Sequence, residues 1–392
     1  MNKKVSTKKY TIIFDIDSTS IAGAVVEYAY NSDKQLVQAQ EIFGLRKDMS
    51  NGQEYSFEDF FKKTLKTFEE VAQKVHLQAL FSLDEVYVNL SSPWMSSQKR
   101  SIKYTKKNEF IFTKKLADEL IQKEIDQPLS KNVDFYNHKV NLFDRHTVGV
   151  FANGYPTRNP LGKKMFDLNI QSLTSVISSQ TQEAFEHVVE RAFHRKPIFL
   201  SNTFVAYNAL VNTLPDQDDA IIVDISGELT ELFVVMSDHL KHISSIPIGV
   251  NHLIRDLSQS LSLPFLKARS AMNMHQEGKL EKKYTKNIQS HFKKSFKIWL
   301  REFYSMLDSC TAEGLLPSTI ILCAPDDLSL WMEEHILESD ELKIHFHGNQ
   351  KISLVHLQDQ NMYSSDYLFR DSEIAVLAGF IERNNINNTG KN

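Results

Sequence analysis

Two β-hairpins that share one residue frame most strongly constrain how this chain folds. The first reads TIIFDI and IAGAVVE around the turn Asp17–Ser20, and the second reads AIIVDI and LTELFVV around the turn Ser226–Glu228. An aspartate stands at the same place in each hairpin, Asp15 and Asp224, 209 residues apart. Short β-branched runs on either side of small polar residues are typical of hairpins. The repeat indicates one duplicated α/β unit, with the two turns facing a cleft.

The two turns have the composition of an anion site. A phosphate held between turns requires backbone N–H groups, small residues that let the backbone approach, and hydroxyl donors. Asp15 and Asp224 are in addition candidate ligands for a metal ion, directly or through water. Each turn alone is typical of a solvated hairpin, and only the shared frame makes the pair more specific. The candidate site comprises Asp15, Ser18, Thr19, Ser20, Asp224, Gly227, Thr230 and Gly249.

Composition excludes several classes of protein. The 392 residues exceed one core at ~150 residues per domain, and 42% apolar with 24% charged residues excludes global disorder. The net charge of −4 argues against a nucleic-acid partner. Two cysteines are too few for a disulfide framework, which suits a reducing compartment. No run approaches the ~18 apolar residues of a membrane span, so we expect a cytoplasmic protein, with peripheral attachment to the inner face of the cell membrane left open.

Changes in residue pattern predict the domain organisation. A β-rich stretch interrupts the first half, with a turn at Lys106–Glu109, a helix capped by Thr113 and strands near 136–142 and 147–152. A helix at 55–76 has Ser56 as its N-cap. The predicted units are a first lobe at 1–82 and 166–214, an inserted α+β subdomain at 83–165, a second lobe at 215–371 with a helical part at 251–310, and a closing helix with a disordered polar tail at 372–392.

The motifs and their order resemble the actin–Hsp70–sugar-kinase superfamily, and within it the FtsA family of cell-division proteins and the PilM family of type IV pilus proteins. The resemblance covers residues 9–383 and implies a two-lobed actin-like α/β fold, duplicated and ribonuclease H-like, with a small SHS2-type insert. It implies ATP and magnesium as cofactors. The segments that carry it are FDIDSTSIAGAVV and VDISGELTELFVV as phosphate loops, SIPIGVNHLIRDLSQSL after the second loop, VYVNLSSPWMSSQKR and YPTRNPLGKK as the entry and exit of the insert, and SEIAVLAGFIE as the closing helix.

Departures from the family pattern bear on activity. Asp17 and Glu228 stand where the family has glycine, and a like-charge pair at ~4 Å costs ~1–4 kcal/mol depending on the surroundings. The loop on the adenosine side reads Cys323–Asp327 without glycine, and the A-E-x-x-K helix of the family reads Ala268–Met272. These departures predict a pseudo-ATPase without effective hydrolysis, in which binding of ATP and magnesium is doubtful.

The resemblance implies three functions. The first is an FtsA-like adaptor in cell division at the cytoplasmic face of the membrane, and the second is a PilM-like scaffold of type IV pilus assembly. The third is an active, polymerising actin-like ATPase. The expected partners are division or pilus-assembly proteins, with self-association left open and membrane contact indirect or peripheral. The tail NNINNTGKN lacks the membrane-targeting helix usual in the FtsA family, which favours the pilus role.

Three further motifs have a functional and a structural interpretation. Trp94 and the pair Lys106–Lys107 of the insert are candidate partner contacts, although Trp94 alternatively packs beneath its own loop. The amphipathic helix at 291–307 either lies on a membrane surface or, as its pattern favours, packs on its own sheet. His345 and His347 lack an evident third ligand, so the structural interpretation is favoured for them.

Overall fold

The computed structural model describes residues 5–49, 56–80, 82–125, 139–157, 159–213, 219–237, 239–280, 282–311, 315–324, 326–337, 339, 342, 353–356 and 367–389. The strands are β1 (Thr7–Ile16), β2 (Ser20–Tyr30), β3 (Leu36–Asp48), β4 (Glu85–Leu90), β5 (Met95–Ile111), β6 (Val140–Ala152), β7 (Tyr155–Pro156), β8 (Lys164–Ser178), β9 (Ile198–Ser201), β10 (Ala220–Ile225), β11 (Thr230–Met236), β12 (His239–Ile246), β13 (Thr319–Cys323), β14 (Ser353–His356) and β15 (Tyr367–Leu368). The helices are α1 (Phe57–Gln78), α2 (Lys114–Ile125), α3 (Ser179–Phe193), α4 (Asn202–Thr213), α5 (Val250–Leu261), α6 (Phe265–Gln276), α7 (Lys282–Thr311), α8 (Asp326–Leu337) and α9 (Ser372–Thr389).

Each lobe is built around one of the two hairpins. The first sheet has the order β15-β3-β2-β1-β4-β9, and the second has the order β12-β11-β10-β13-β14. In both, three antiparallel strands are followed by a parallel neighbour, β4 beside β1 and β13 beside β10. Apart from the polar start of β1 at Thr7–Tyr10, the strands of both hairpins are almost fully buried, as their apolar runs require. The two predicted hairpins and the duplicated, two-lobed α/β fold are confirmed.

The insert forms a separate antiparallel sheet of order β5-β8-β6-β7. Helix α2 covers one face of it, where Ile102, Leu120, Met165 and Ile170 are buried together. Its elements run from Met95 to Ser178 and so differ from the predicted bounds of 83–165, because β4 pairs with β1 in the first lobe and β8 pairs with β5 and β6. The buried run of β4 is typical of a central parallel strand.

Strand continuity within the insert also differs from expectation. Residues Lys106–Glu109 are not a turn but part of β5, where pairing with β8 shifts register between Thr105 and Phe110. The strands predicted near 136–142 and 147–152 correspond to one strand, β6, whose pairing with β8 has two register shifts. A bulge interrupts pairing without reversing the chain, so polar residues within a long strand resembled a turn.

The residues predicted to cap helices do so in the structure. Helix α1 begins after Ser56, whose hydroxyl accepts a hydrogen bond from the N–H of Asp59 at 3.2 Å, and the N–H of Leu116 donates likewise to Thr113 before α2. The apolar face of α7 is buried against the second sheet, and the indole of Trp299 donates to the Thr230 hydroxyl at 2.9 Å. The helix predicted at 291–307 therefore packs on its own sheet.

The C-terminal helix continues further than expected. Helix α9 runs to Thr389, through most of the segment predicted to be a disordered tail. Its first turns are anchored by buried Ile374, Leu377 and Phe380, and extension of a helix that is already formed needs no new nucleus. His345 and His347 lie outside the described residues. Among the helices described here, none has the length and apolar character needed to cross a membrane.

Candidate functional site: the two hairpin turns

The turns of the two hairpins touch each other at the junction of the lobes. The hydroxyl oxygens of Ser18 and Ser226 lie 3.3 Å apart, and the N–H of Glu228 donates to the Ser18 hydroxyl at 3.2 Å. A Cβ added to Gly227 would lie 2.6 Å from the Thr19 methyl carbon, closer than real Cβ contacts. Glycine at 227 is therefore what lets the second turn pack against the first.

The groups that a phosphate would bind between the turns are hydrogen-bonded to each other. The Ser18 and Ser226 hydroxyls form one such bond at 3.3 Å, and the N–H of Glu228, which could serve an anion, donates to Ser18. A phosphate bound here would have to replace these hydrogen bonds between the turns.

The first N–H groups of α5 are likewise hydrogen-bonded to the second turn. The N–H groups of Val250 and Asn251 donate to the carbonyls of Ser226 and Gly227 at 3.0 and 2.8 Å. A Cβ on Gly249 would lie 2.3 Å from the Ser226 carbonyl oxygen, so glycine is required for this approach. Helix amino termini attract anions through their unpaired N–H groups, and here the second turn uses two of these groups.

Asp15 is held by an arginine that sequence reasoning missed. Arg46 of β3 lies 3.3 Å from the buried Asp15 carboxylate and also donates to Ser20 at 2.8 Å and to Asp371 at 2.8 and 3.0 Å. Burial lowers the pKa of Arg46, but Glu373, Asp371 and Asp15 raise it overall, so the guanidinium stays charged. A cation of the protein itself thus lies beside the carboxylate predicted to serve a metal ion.

A chain of hydrogen bonds continues from Asp15 into the second lobe. The Asn89 amide donates to Asp15 at 2.9 Å and lies 3.3 Å from the Asn202 side-chain oxygen, while Asn202 donates to Asp224 at 2.9 Å. Asn89 is in β4 and Asn202 begins α4, so both belong to the first lobe. The two aspartates of the repeated frame are therefore connected through two asparagine side chains.

The predicted electrostatic repulsion between Glu228 and the phosphates of a nucleotide is not supported by the contacts of Glu228. Glu228 accepts two hydrogen bonds from Arg255, at 3.0 and 2.8 Å, and one from Asn251 at 2.9 Å. Burial raises the pKa of Glu228, but the hydrogen bonds from Arg255 and Asn251 lower it overall. The carboxylate is therefore charged and neutralised by its bidentate partner, so it does not present an uncompensated charge to the cleft.

Three other acidic side chains near the turns have raised pKa values. Burial raises the pKa of Asp17 against the hydrogen bond from Thr19, and it raises the pKa of Asp224 well above the ordinary value, with further increases from Glu231, Asp17 and Asp15. Burial likewise raises the pKa of Glu231 to about 7. Carboxyls must lose their proton to bind a metal, and within the described ranges no group of three or more acidic, histidine or cysteine side chains is arranged around an ion site.

The remaining candidates of the sequence have structural contacts. Thr230 donates to the Ile248 carbonyl at 2.8 Å and accepts from Trp299. Ala268 and Met272 lie at the two ends of the segment that corresponds to the A-E-x-x-K motif of the family, and both are fully buried in the core of the second lobe. Cys323 lies next to Asp224 in the register of β13 and β10. These positions support packing, and none offers a charged group to a nucleotide.

The structure separates the two partner contacts that were predicted for the insert. Trp94 is 1% exposed and packs against Phe60, Phe61 and Phe185. It is not the exposed aromatic anchor proposed from sequence, because its ring lies in the core of the first lobe beneath its own loop. Lys106 and Lys107 are exposed on β5, and their contact with a partner stays a prediction.

Comparison with known proteins gives the fold. No family model matches the sequence, and no curated protein matches it. Among solved structures, one from a PilM–PilN type IV pilus biogenesis complex matches over 93% of this chain and 93% of its own, with a TM-score of 0.61 and 13% identity. A protein of Bacteroides thetaiotaomicron with an actin-like ATPase fold and unknown function matches over 94% of this chain and 95% of its own, with a TM-score of 0.41 and 9% identity. The ethanolamine utilization protein EutJ of Carboxydothermus hydrogenoformans matches over 91% and 86%, with a TM-score of 0.42 and 12% identity.

Proposed function

We propose that this chain, which has the actin-like ATPase fold and resembles PilM in structure, is a scaffold without effective ATP hydrolysis. Its role would be to assemble with pilus proteins at the cytoplasmic face of the membrane, attached peripherally through its partners. The observation that supports the scaffold role is the contact between the two hairpin turns, which uses hydroxyl and N–H groups that a phosphate would otherwise bind.

The pilus role is supported by the likeness to PilM, which extends over 93% of both chains. That neighbour is in complex with PilN, and we propose a partner of the same kind for this chain. The sequence departures at the adenosine side and the buried positions of Ala268 and Met272 support the absence of effective hydrolysis.

A cell-division adaptor of the FtsA kind is the second candidate. The FtsA and PilM families share the phosphate loops and the insert. The resemblance of these segments therefore supports an FtsA-like role as well. An active, polymerising ATPase is a third candidate, and it would require phosphate to replace the hydrogen bonds between the turns. Burial, which raises the pKa of Asp17 and Asp224, opposes the charged carboxylates that a metal ion needs.

Co-purification of the tagged full-length chain from its own cells tests the partner class. We expect an inner-membrane protein of pilus assembly, identified by mass spectrometry, and a smaller yield with Lys106→Glu/Lys107→Glu. The matched control is Lys114→Glu/Lys115→Glu, which makes the same charge change on α2. Recovery of division proteins would instead support the second candidate, and recovery of neither class would contradict both.

Nucleotide assays test the absence of catalysis. We expect turnover of magnesium-ATP far below an ordinary enzymatic ~1 per second and no rise in the unfolding temperature with ATP, since a ligand present at ~100 times its Kd stabilises by ~2.7 kcal/mol. Asp224→Ala is the control for the site. Turnover near ~1 per second that this variant abolishes would refute the proposal.

A further inference from the structure

Four large apolar side chains are exposed together at one end of the insert sheet, which we call the tip. They are Ile111 at the end of β5, Tyr155 of β7, Leu161 before β8 and Phe166 within β8, and each is between 48% and 75% exposed. Single exposed apolar residues are ordinary on a protein surface, but a cluster of them is a feature of surfaces that bind a partner or a membrane. The tip is therefore a candidate contact surface.

Strand pairing and one loop hydrogen bond bring three of these side chains together. Ile111 is directly opposite Lys164, which is two residues before Phe166 in β8. The N–H of Gly162, next to Leu161, donates at 2.8 Å to the carbonyl of the residue that follows Ile111. The end of β5, the loop before β8 and the start of β8 thus meet in one place.

The turn between β6 and β7 completes the tip. The N–H of Phe166 donates to the Asn153 side chain of this turn at 2.9 Å, and Tyr155 follows the turn. The other end of the sheet joins the first lobe, where Met95 and Ile177 are opposite each other and buried in its core. Since the 15 residues of β8 rise ~3.3 Å each, the tip lies ~40–50 Å from that end.

Lysines surround the apolar side chains of the tip. Six exposed lysines are in the segments that form it: Lys106, Lys107, Lys114, Lys115, Lys163 and Lys164. Among the acidic residues of these segments, Glu109 lies 3.6 Å from Lys164, and Asp167 accepts a hydrogen bond from Thr105 at 2.6 Å. Asp118 and Glu119 of α2 follow one turn after its first lysines. Positive charge therefore exceeds negative charge at the tip of a chain whose net charge is −4.

We propose that the tip binds an anionic lipid surface directly. Ile111, Leu161 and Phe166 would enter the boundary between headgroups and acyl chains, and the lysines would pair with lipid phosphates. Apolar side chains with lysines beside them are typical of segments that lie in a membrane interface, and tyrosine is enriched at the same depth. A lysine near an anionic bilayer strengthens binding about fivefold.

The position of the apolar side chains favours lipid over an acidic protein as the occupant. None of the four lines the cavity of about 540 Å³ between the insert and the second lobe, or the cavity of about 240 Å³ beside α1 and α3. Anchor residues between proteins fill well-packed pockets, whereas a lipid surface accepts apolar side chains that protrude. The inference goes beyond the proposed function, in which attachment is through partners, because this contact needs no partner protein.

Sedimentation of the purified full-length chain with lipid vesicles tests the contact. We expect binding to vesicles of phosphatidylglycerol, and binding at least about tenfold weaker to vesicles of phosphatidylcholine, which have no net charge. Leu161→Ser/Phe166→Ser should bind phosphatidylglycerol about tenfold or more weakly, since its apolar contact is lost. Lys163→Gln/Lys164→Gln should lose about fivefold for each lysine.

Each tip variant has a matched control elsewhere on the chain. Leu77→Ser/Leu80→Ser removes two exposed apolar side chains at the end of α1, and Lys293→Gln/Lys294→Gln removes two exposed lysines of α7. Both controls should bind vesicles as the wild type does. All substituted positions are exposed, so the variants are expected to fold, and circular dichroism checks this.

The outcomes separate the lipid contact from the proposed function, because the vesicles contain no protein. Absence of vesicle binding, equal binding to both lipids, or tip variants that bind no more weakly than their controls would overturn the lipid contact. If pilus proteins still co-purify in that case, the scaffold function stands. If vesicle binding depends on the tip but no pilus or division protein co-purifies, the lipid contact stands and the scaffold function falls.

Discussion

Replacing Glu231 with glutamine should stabilise the protein at alkaline pH. Glu231 is 6% exposed on β11, where it is the cross-strand partner of Asp224. Burial raises the pKa of its carboxyl against a hydrogen bond from Ser92, and with a smaller increase from Asp17 the pKa changes from 4.5 to about 7. The folded state therefore holds a proton that the unfolded chain releases at lower pH.

The sign of the effect follows from proton binding in the two states. Between pH ~4.5 and ~7 the folded protein binds more protons at Glu231 than the unfolded chain, so the free energy of unfolding falls as pH rises through this window. One pH unit contributes ~1.4 kcal/mol, and the window therefore amounts to ~3 kcal/mol. Glutamine has no proton to lose and can still accept from Ser92, so the variant should gain ~3 kcal/mol at pH 8 and less than ~1 kcal/mol at pH 5.

Urea unfolding at pH 5 and pH 8, followed by tryptophan fluorescence, measures this difference. Glu183→Gln is the matched control, because Glu183 is exposed on α3 and loses the same charge. An equal gain of Glu231→Gln at both pH values would refute the reasoning, since it would mean that Glu231 ionises normally in the fold. A loss of stability at pH 8 would show that the charged carboxylate has a favourable partner.

Three substitutions test buried contacts, two at the turns and one in the core of the first lobe, by the same urea measurement at pH 7. Arg255→Met leaves Glu228 without its bidentate partner, and with side chains only 10% and 23% exposed we expect a cost of ~2–3 kcal/mol. Gly227→Ala places a methyl group 2.6 Å from the Thr19 side chain and should cost ~1–3 kcal/mol. Trp94→Ala should cost ~3–5 kcal/mol, since its ring is enclosed by phenylalanines. A cost below ~0.5 kcal/mol in any of the three would contradict the contact that it tests.

Local patterns in the sequence were sufficient to predict the hairpins and helix starts. Apolar runs around Asp17–Ser20 and around Ser226–Glu228 determine strand and turn within about fifteen residues each, and Ser56 and Thr113 cap helices through bonds to residues three positions later. Such interactions depend only on near neighbours in the chain. The duplicated fold was then predictable from the repetition of the frame.

Long-range pairing was not predictable from those patterns. Arg46 contacts Asp15 and Asp371, which are 31 and 325 residues away, so no local spacing indicates the cluster. The isolated arginines in GLRKD and HLIRDL were the available signals, since an arginine within an otherwise apolar strand or helix face needs a carboxylate partner. The bounds of the insert likewise depended on which sheet β4 and β8 joined.

The junction of the lobes combines these local and long-range features. Arg46 and Arg255 each neutralise a carboxylate beside one turn, and Asn89 and Asn202 connect the two repeated aspartates. In a cleft that holds a nucleotide, phosphate and metal would have to satisfy the same N–H groups and carboxylates. Here protein groups satisfy them and the turns touch, so the junction needs no ligand to balance its charges. If the chain is the scaffold proposed above, we predict that partner binding depends on the insert and the outer surfaces of the lobes and not on the cleft.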